Sequence, residues 1–296
     1  MGWINFTLTV LFFGSMEVVS KPFMGQIDPF ALTLFRFIIG FCFLLGFNLV
    51  YNRKTFLGIS GKDFILMAFL GFLNTFFSMS MLQLAVHHTT AATTALIFSS
   101  NPLFVLLLSF AFGRERFDWK KLAFFLLGIA GLFLLMFERG LDLHTGAIYA
   151  IAAAVSFALY TFLNKGLVSR VHPITANVIS FFFGIIWLSG YIWIADVPLD
   201  LQPALSSTAG ILRLLYLGLI VSGVGYITFF FALKHYTASA ASLIFMIKPA
   251  VATALSVMLL SENLEWDFFV GLFLILAATG GYFHIRHTET KLKGAA

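Results

Sequence analysis

The fold is decided by a stretch of sequence that occurs twice, as AVHHTTAATTALIFSSNP at residues 85–102 and as ALKHYTASAASLIFMIKP at residues 232–249. The copies lie 147 residues apart, and the same offset aligns GRERFDW at 113–119 with LSENLEW at 260–266. Across positions 85–119, 12 of 35 residues are identical, and these include polar and proline positions that a shared apolar composition would not align. The chain therefore contains an internal repeat.

The repeat continues toward the N-terminal end of each copy at a slightly shorter offset of 144 residues. This offset pairs residues of the same type, namely Lys21 with Lys165, Pro29 with Pro173 and Gly40 with Gly184. We predict two units, residues 1–139 and residues 140–296.

The composition indicates a membrane protein, because 60% of the 296 residues are apolar and 10% are charged, against about 25% charged in soluble domains. Long apolar runs such as 122–137 do not alternate polar and apolar residues, which favours helices over a barrel. The segments long enough to cross a bilayer are 3–21, 29–50, 64–85, 91–112, 120–137, 146–164, 173–194, 210–232, 238–260 and 268–285.

Five helices in each repeat make the second repeat inverted relative to the first, because five is odd. With a cytoplasmic N-terminus, 13 of the 18 Lys and Arg residues fall on the cytoplasmic side, as the positive-inside rule requires. We predict an all-α membrane protein with ten transmembrane helices in two inverted five-helix repeats. We expect both termini to be cytoplasmic and the protein to lie in the inner membrane of the cell.

Several other classes of protein are excluded or disfavoured. The single cysteine, Cys42, allows neither an intrachain disulfide nor a Cys-based metal site. GISGKD at 58–63 lacks the spacing of a phosphate loop, and the positive charge is spread over short loops rather than gathered on a face for nucleic acid. We expect no enzyme activity, no cofactor and no metal, and we expect the first apolar run to be a membrane helix rather than a removable signal peptide.

Several of these motifs resemble those of the drug/metabolite transporter superfamily, and specifically its ten-helix EamA-domain members. The resemblance rests on Gly14-Ser15 followed by Lys21, on Pro29 followed by Arg36-Phe37, and on the segment 85–115, which recurs at 232–262. It covers nearly the whole chain and implies a carrier of metabolites. Glu17 and Ser180 depart from the family pattern, which more often has an apolar residue and an arginine there.

Charged residues within the membrane segments are candidates for substrate binding, because each costs at least about 2.5–3.5 kcal/mol in hydrocarbon. Glu17 and Arg36 are predicted to lie at matching depth, where they either form an ion pair that only joins two helices or line the substrate path. Lys248 is predicted near the middle of the membrane, where an ammonium needs a carboxylate, carbonyl oxygens or an anionic ligand. Lys21 is either an anchor at the helix end or a functional group.

The prolines that end the repeated stretch predict a pair of interrupted helices. Lys248 precedes Pro249, and its repeat partner Asn101 precedes Pro102. A proline removes one helical hydrogen bond and frees a carbonyl, so the two positions are either simple kinks or symmetric broken helices that face a binding site.

Aromatic residues within the helices supply the remaining candidates. We expect Tyr160, Trp187 and Tyr226 to line a wet cavity, whereas most of the 38 phenylalanines are expected to face lipid or fill packing space. The predicted site thus consists of Glu17, Arg36, Asn101, Tyr160, Trp187, Tyr226 and Lys248.

The function predicted from these features is secondary transport of a small polar or zwitterionic metabolite such as an amino acid, in the outward direction. The expected partners are this small-molecule substrate, membrane lipids and protons as the coupling ion, with no nucleic acid. Two alternatives remain: uptake of an organic cation, and an intramembrane enzyme or lipid-handling protein without transport.

Overall fold

The protein is described by a computed structural model that covers residues 2–51, 53–113, 119–136, 145–235, 238, 244–264 and 266–294. In these ranges the chain forms helices and turns and no β-strand. The predicted boundary between the two repeats, at residues 139 and 140, lies outside the described residues.

In the described ranges, the first half of the sequence supplies eight α-helices. They are α1 (Gly2–Gly14), α2 (Met16–Ser20), α3 (Pro29–Tyr51), α4 (Gly61–Gly71), α5 (Met79–His88), α6 (Ala91–Phe98), α7 (Asn101–Ala111) and α8 (Trp119–Met136). A π-helical segment, Phe72–Ser78, joins α4 to α5, and single turns of 3₁₀ helix occupy Lys21–Phe23 and Arg53–Phe56.

The second half supplies the remaining helices of the described ranges. They are α9 (Thr145–Leu167), α10 (Pro173–Ile194), α11 (Gln202–Leu205), α12 (Thr208–Leu215), α13 (Tyr226–His235), α14 (Ile244–Leu260) and α15 (Trp266–Gly294). A second π-helical segment, Tyr216–Gly225, joins α12 to α13.

Helix starts follow from local side-chain chemistry. Ser60, Thr90 and Ser207 each accept a hydrogen bond from a backbone N–H in the first turn of α4, α6 and α12, which satisfies a donor that has no partner within the helix. Pro29 and Pro173 begin α3 and α10, where the missing N–H of proline is not needed.

Six helical stretches in the described ranges are long and apolar enough to cross a membrane. They are Pro29–Tyr51, Gly61–His88, Ala91–Ala111, Thr145–Leu167, Pro173–Ile194 and Thr208–Lys234. Shorter apolar helices cover Lys248–Leu260 and Phe268–Ala278. The structure therefore confirms an all-helical membrane protein, and the arrangement as ten transmembrane helices in inverted repeats stays a prediction.

Only one of the two predicted helix interruptions is present. Between α6 and α7 the helix is broken at Ser99 and Ser100, and the amide of Asn101 donates a hydrogen bond to the carbonyl of Phe98 at 3.3 Å. In an unbroken helix this carbonyl would accept a hydrogen bond from the backbone N–H of residue 102, and proline has no such N–H. By contrast, α14 continues through Pro249, so the prediction of a break in the second copy is wrong for residues 244–260.

Helices from the two halves of the sequence pack against each other in the core. α3 contacts α10 and the second π-helical segment, while α10 also contacts α4 and the first π-helical segment. α1 contacts α13 and α14, and α9 contacts α5 and α7. The helices α8 and α15 pack along each other. The largest cluster of buried apolar side chains lies among α1, α3, α5, α9, α10 and α13.

Glycines allow the closest of these helix contacts. A Cβ atom at Gly71 would overlap the carbonyl oxygen of Ser180 and lie 2.7 Å from the backbone nitrogen of Gly184. At Gly184, a Cβ would lie 2.7 Å from the carbonyl oxygen of Gly71. Such backbone-to-backbone approach is typical of small residues in membrane helix interfaces.

Substitution of Gly71 by valine should therefore separate α4 from α10. We expect Gly71→Val to lower the free energy of unfolding by at least about 3 kcal/mol, because backbone atoms cannot move aside as a flexible side chain can. Gly46→Val is the matched control, since a Cβ at Gly46 meets no atom within 4 Å. Thermal melting of the detergent-purified variants measures the difference, and equal melting temperatures would contradict the close contact.

Candidate functional site

Three charged side chains meet in the interior of the helix bundle. Glu17, Arg36 and Lys248 come from α2, α3 and α14, and their exposed fractions are 0%, 1% and 1%. The ammonium of Lys248 donates a hydrogen bond to Oε1 of Glu17 and forms an ion pair with it. It also lies 4.5 Å from the centre of the Phe98 ring, a distance suited to a cation–π interaction.

The carboxylate of Glu17 is therefore paired with Lys248 and not with Arg36, the partner considered from the sequence. The physical reason is the packing of α14 against α1 and α2. A Cβ at Gly14 would lie 2.9 Å from Cβ of Val251 in α14, which is too close, so the absence of a side chain at Gly14 lets α14 approach closely. This approach brings the lysine next to Glu17.

Arg36 remains without a carboxylate partner among the described residues. Its guanidinium carbon lies 5.0 Å from the centre of the adjacent Phe37 ring. Its Nε and Nη2 atoms are buried and have no hydrogen-bond partner in the described part of the chain. Nearby, the hydroxyl of Tyr226 donates a hydrogen bond to Oδ1 of Asn74 at 3.1 Å. Packing against neighbouring side chains thus holds the guanidinium, and its Nε and Nη2 donors stay without hydrogen-bond partners in the described residues.

Arg36 and Lys248 line a narrow cavity in which the centres of water-sized molecules have about 20 Å³ of space. Apolar and aromatic side chains form the rest of its wall, namely Phe13, Met16, Met79, Leu82, Phe98, Phe157, Val221, Tyr226 and Phe245. The rings pack in contact with each other, for example Phe13 stacked on Phe245 with centroids 5.8 Å apart and Phe98 beside Phe157 at 5.3 Å. The cavity is therefore apolar except for its two cations and one phenol hydroxyl.

The structure brings together four of the residues that the sequence singled out. Arg36, Tyr226 and Lys248 line the cavity, and Glu17 pairs with Lys248 directly behind the wall. Tyr160 is fully buried in a second layer, where its ring contacts Phe157 at 5.5 Å.

The remaining two candidates lie away from the cavity wall. Asn101 is buried beside the helix break and contacts the backbone of Phe98. Trp187 is 52% exposed on the outer face of α10, where it contacts Phe72, and it does not line the cavity. A tryptophan in this position fits a lipid-facing side chain.

The phenylalanines of the cavity wall were assigned from the sequence to lipid contact or packing, and this assignment missed four lining residues. The repeat offsets contain the missing signal, because 144 residues separate Phe13 from Phe157 and 147 separate Phe98 from Phe245. An aromatic residue retained at the same position of both copies distinguishes these rings from the other phenylalanines.

Lysines at the helix ends have a structural role. Lys21 donates hydrogen bonds to the carbonyl oxygens of Val86 at 2.8 Å and Thr89 at 2.5 Å, and so caps α5. Lys165 donates to the carbonyl oxygens of Leu233 at 2.9 Å and Lys234 at 3.2 Å, near the end of α13. Cations at these positions satisfy carbonyl groups that have no donor within the helix.

A separate polar contact joins the two halves near the surface. Arg170, in the turn between α9 and α10, forms an ion pair with Asp63 in the first turn of α4 at 2.7 Å. The hydrogen bond to Asp63 raises the pKa of Arg170 above its ordinary value. Because the arginine is half-exposed, this pair adds little stability.

Comparisons with known proteins agree with this architecture. The model of the EamA-like transporter family matches residues 1–137 and 144–283. A protein of Clostridium kluyveri named as an uncharacterized transporter is 32% identical over 285 residues, which cover 93% of this chain and 90% of the relative. A protein of Rickettsia conorii named as an S-adenosylmethionine uptake transporter is 26% identical over 237 residues, or 80% of this chain and 75% of that one.

A solved protein structure has the same fold. It superposes with a TM-score of 0.72 over 97% of this chain and 98% of the other, at 19% sequence identity. The family match over both halves of the sequence, the named relatives and the six apolar helices agree with each other. The chain is an integral membrane transporter and belongs to the EamA-like transporter family of the drug/metabolite transporter superfamily.

Proposed function

We propose that the protein is a secondary carrier that moves a small polar or zwitterionic metabolite, such as an amino acid, outward across the inner membrane. Two inverted five-helix halves, residues 1–139 and 140–296, rock against each other and expose the cavity to each side in turn. The observation that carries this proposal is the cavity that places Arg36 and Lys248 among aromatic rings at the contact between the halves.

The pattern of close contacts supports the two-fold arrangement. A Cβ at Gly40 would lie 3.1 Å from the carbonyl oxygen of Gly218, and one at Gly184 would lie 2.7 Å from that of Gly71. The offsets of 144 and 147 residues convert the first contact into the second. The bonds of Lys21 and Lys165 to the ends of α5 and α13 correspond in the same way.

The charges of the site favour a metabolite with an anionic group over a simple organic cation. Two cations and one carboxylate surround the cavity, so a substrate with only positive charge would enter a region that is already positive. The relatives named for S-adenosylmethionine uptake make this compound a necessary member of any substrate test. S-adenosylmethionine carries a carboxylate as well as positive charge.

A thermal-shift screen of the purified protein tests the function. A ligand that binds the folded state raises the melting temperature by an amount that grows with its affinity and concentration. We expect amino acids to give concentration-dependent shifts and quaternary amines to give none. Shifts confined to quaternary amines would favour the organic-cation alternative, and shifts with lipid analogues alone would favour lipid handling.

The proposed orientation makes a separate prediction about accessibility. After replacement of the exposed Cys42 by serine, single cysteines at Gly113 and Asn263 should be labelled from opposite sides of the membrane, with Gly113 on the cytoplasmic side. Both positions are exposed and correspond approximately in the two repeats. Labelling of both from the same side in intact cells would contradict the inverted arrangement and the cytoplasmic termini.

A further inference from the structure

Two buried polar groups in the central cluster have unused hydrogen-bonding capacity. Nε and Nη2 of Arg36 are donors without a partner in the described residues, and Oε2 of Glu17 is an acceptor without one. Buried polar atoms in native proteins nearly always have a hydrogen-bond partner. The free-energy cost of leaving such an atom without a partner is higher for charged groups. Of the two residues, Arg36 lines the cavity wall.

The charges of the cluster do not cancel, and the excess positive charge lies on Arg36. Lys248 is neutralised by its ion pair with Glu17, whereas Arg36 has no counter-charge among the described residues. The cluster therefore carries one net positive charge inside a largely apolar enclosure. One negative charge on a ligand would balance it, and a doubly charged phosphate would exceed it.

We infer that Arg36 binds a carboxylate of the substrate. Binding in the cavity then requires this single negative group and does not require an amine. The inference rests on the proposed transport function and narrows its substrate class to small monocarboxylates with an apolar remainder. A guanidinium offers parallel donors that match the two oxygens of a carboxylate. The aromatic and methionine side chains of the wall suit the apolar part of such a ligand, which enters only when the halves move apart and widen the cavity.

A ligand series built on one carbon skeleton tests the requirement without any mutation. The probes are L-leucine, 4-methylpentanoate, which lacks the amine, 3-methylbutylamine, which lacks the carboxylate, and L-leucine methyl ester, in which the carboxylate is blocked. We expect the two carboxylates to raise the melting temperature of the wild-type protein in nanodiscs and the other two to leave it unchanged. Binding of the amine or the ester with equal affinity overturns the inference, and so does failure of both carboxylates to bind.

A variant series then assigns the requirement to Arg36. Arg36→Gln should weaken binding of 4-methylpentanoate about 100-fold, because removal of one partner of a buried charge pair affects affinity strongly. Arg53→Gln, at an exposed position, is the control and should bind as the wild type does. If Arg36→Gln does not fold, Arg36→Lys retains the charge without the parallel donors and should weaken binding about tenfold. Unchanged affinity in the folded variant overturns the assignment.

Three further outcomes decide between this inference and its alternatives, and the last two separate it from the transport function. If chloride alone reproduces the Arg36-dependent shift, the residue binds small inorganic anions and the carboxylate assignment is wrong. If none of the four probes is bound while other compounds of the wider screen bind and are transported, the carboxylate inference fails and the carrier function stands. If the carboxylates bind but are not moved across proteoliposomes, the site is correct and the carrier function fails.

Discussion

Replacement of Lys248 by methionine should abolish transport and also lower the free energy of unfolding by about 3–5 kcal/mol. The loss of stability follows from the ion pair, because the variant leaves the carboxylate of Glu17 buried without its cation. From the sequence, a carboxylate, carbonyl oxygens or an anionic ligand were all open as partners of this lysine, and the structure shows the carboxylate. Thermal melting and proteoliposome flux measure the two effects, and Lys54→Met, at an exposed position, is the matched control.

The double variant Glu17→Gln with Lys248→Met separates the two effects of the lysine. Removing both charges should recover most of the stability, because neither member of the pair is then left as an unpaired charge. It should not recover transport if the pair takes part in the carrier cycle. A stable single variant Lys248→Met with normal flux would show that the pair is neither a structural nor a transport element.

The second large effect concerns coupling to protons, which we predict to depend on Glu17. Glu17→Gln should remove the dependence of substrate flux on a pH gradient and preserve exchange of substrate across the membrane. The reason is that glutamine replaces the carboxylate of the charged cluster formed by Glu17, Arg36 and Lys248, so no acidic group of that cluster is left to carry a proton. Flux in proteoliposomes with and without an imposed gradient measures the change.

The matched control for this prediction is Asp196→Asn, which removes a carboxylate at an exposed position and should leave coupling unchanged. The positive φ of Asp196, 50°, is one that asparagine also tolerates. Recovery of pH-coupled transport in the Glu17→Gln, Lys248→Met double variant would contradict the assignment, since Glu17 would then serve only to neutralise Lys248.

The class of the fold could be predicted from the sequence because lipid leaves few choices. Apolar runs of sufficient length must be helical in a membrane, and the duplicated stretch with its prolines located the helix ends. The interruption before Pro102 was predictable for the same reason, since a proline removes a defined hydrogen bond. The absence of an interruption at Pro249 was not predictable, because a helix can continue through a proline when its surroundings hold the neighbouring turns in place.

The site was only partly predictable, because depth in the membrane does not determine which helix faces which. Glu17 and Arg36 were placed at matching depth, yet the carboxylate contacts Lys248, which is 231 positions away in the sequence. Trp187 was expected in the cavity and lies on the outer surface, because its residue type is compatible with a wet pocket and with lipid. Pairwise packing of α1, α2 and α14 decides such questions, and single-residue chemistry does not.

Counterflow in proteoliposomes loaded with unlabelled L-leucine and diluted into labelled L-leucine tests most directly whether the cavity is the substrate site. Wild-type protein and the control Arg53→Gln should accumulate label transiently above its external concentration, while Arg36→Gln, reconstituted in equal amount and folded, should not. Equal accumulation by Arg36→Gln and the wild type would contradict the claim that the cavity lined by Arg36 and Lys248 is the substrate site.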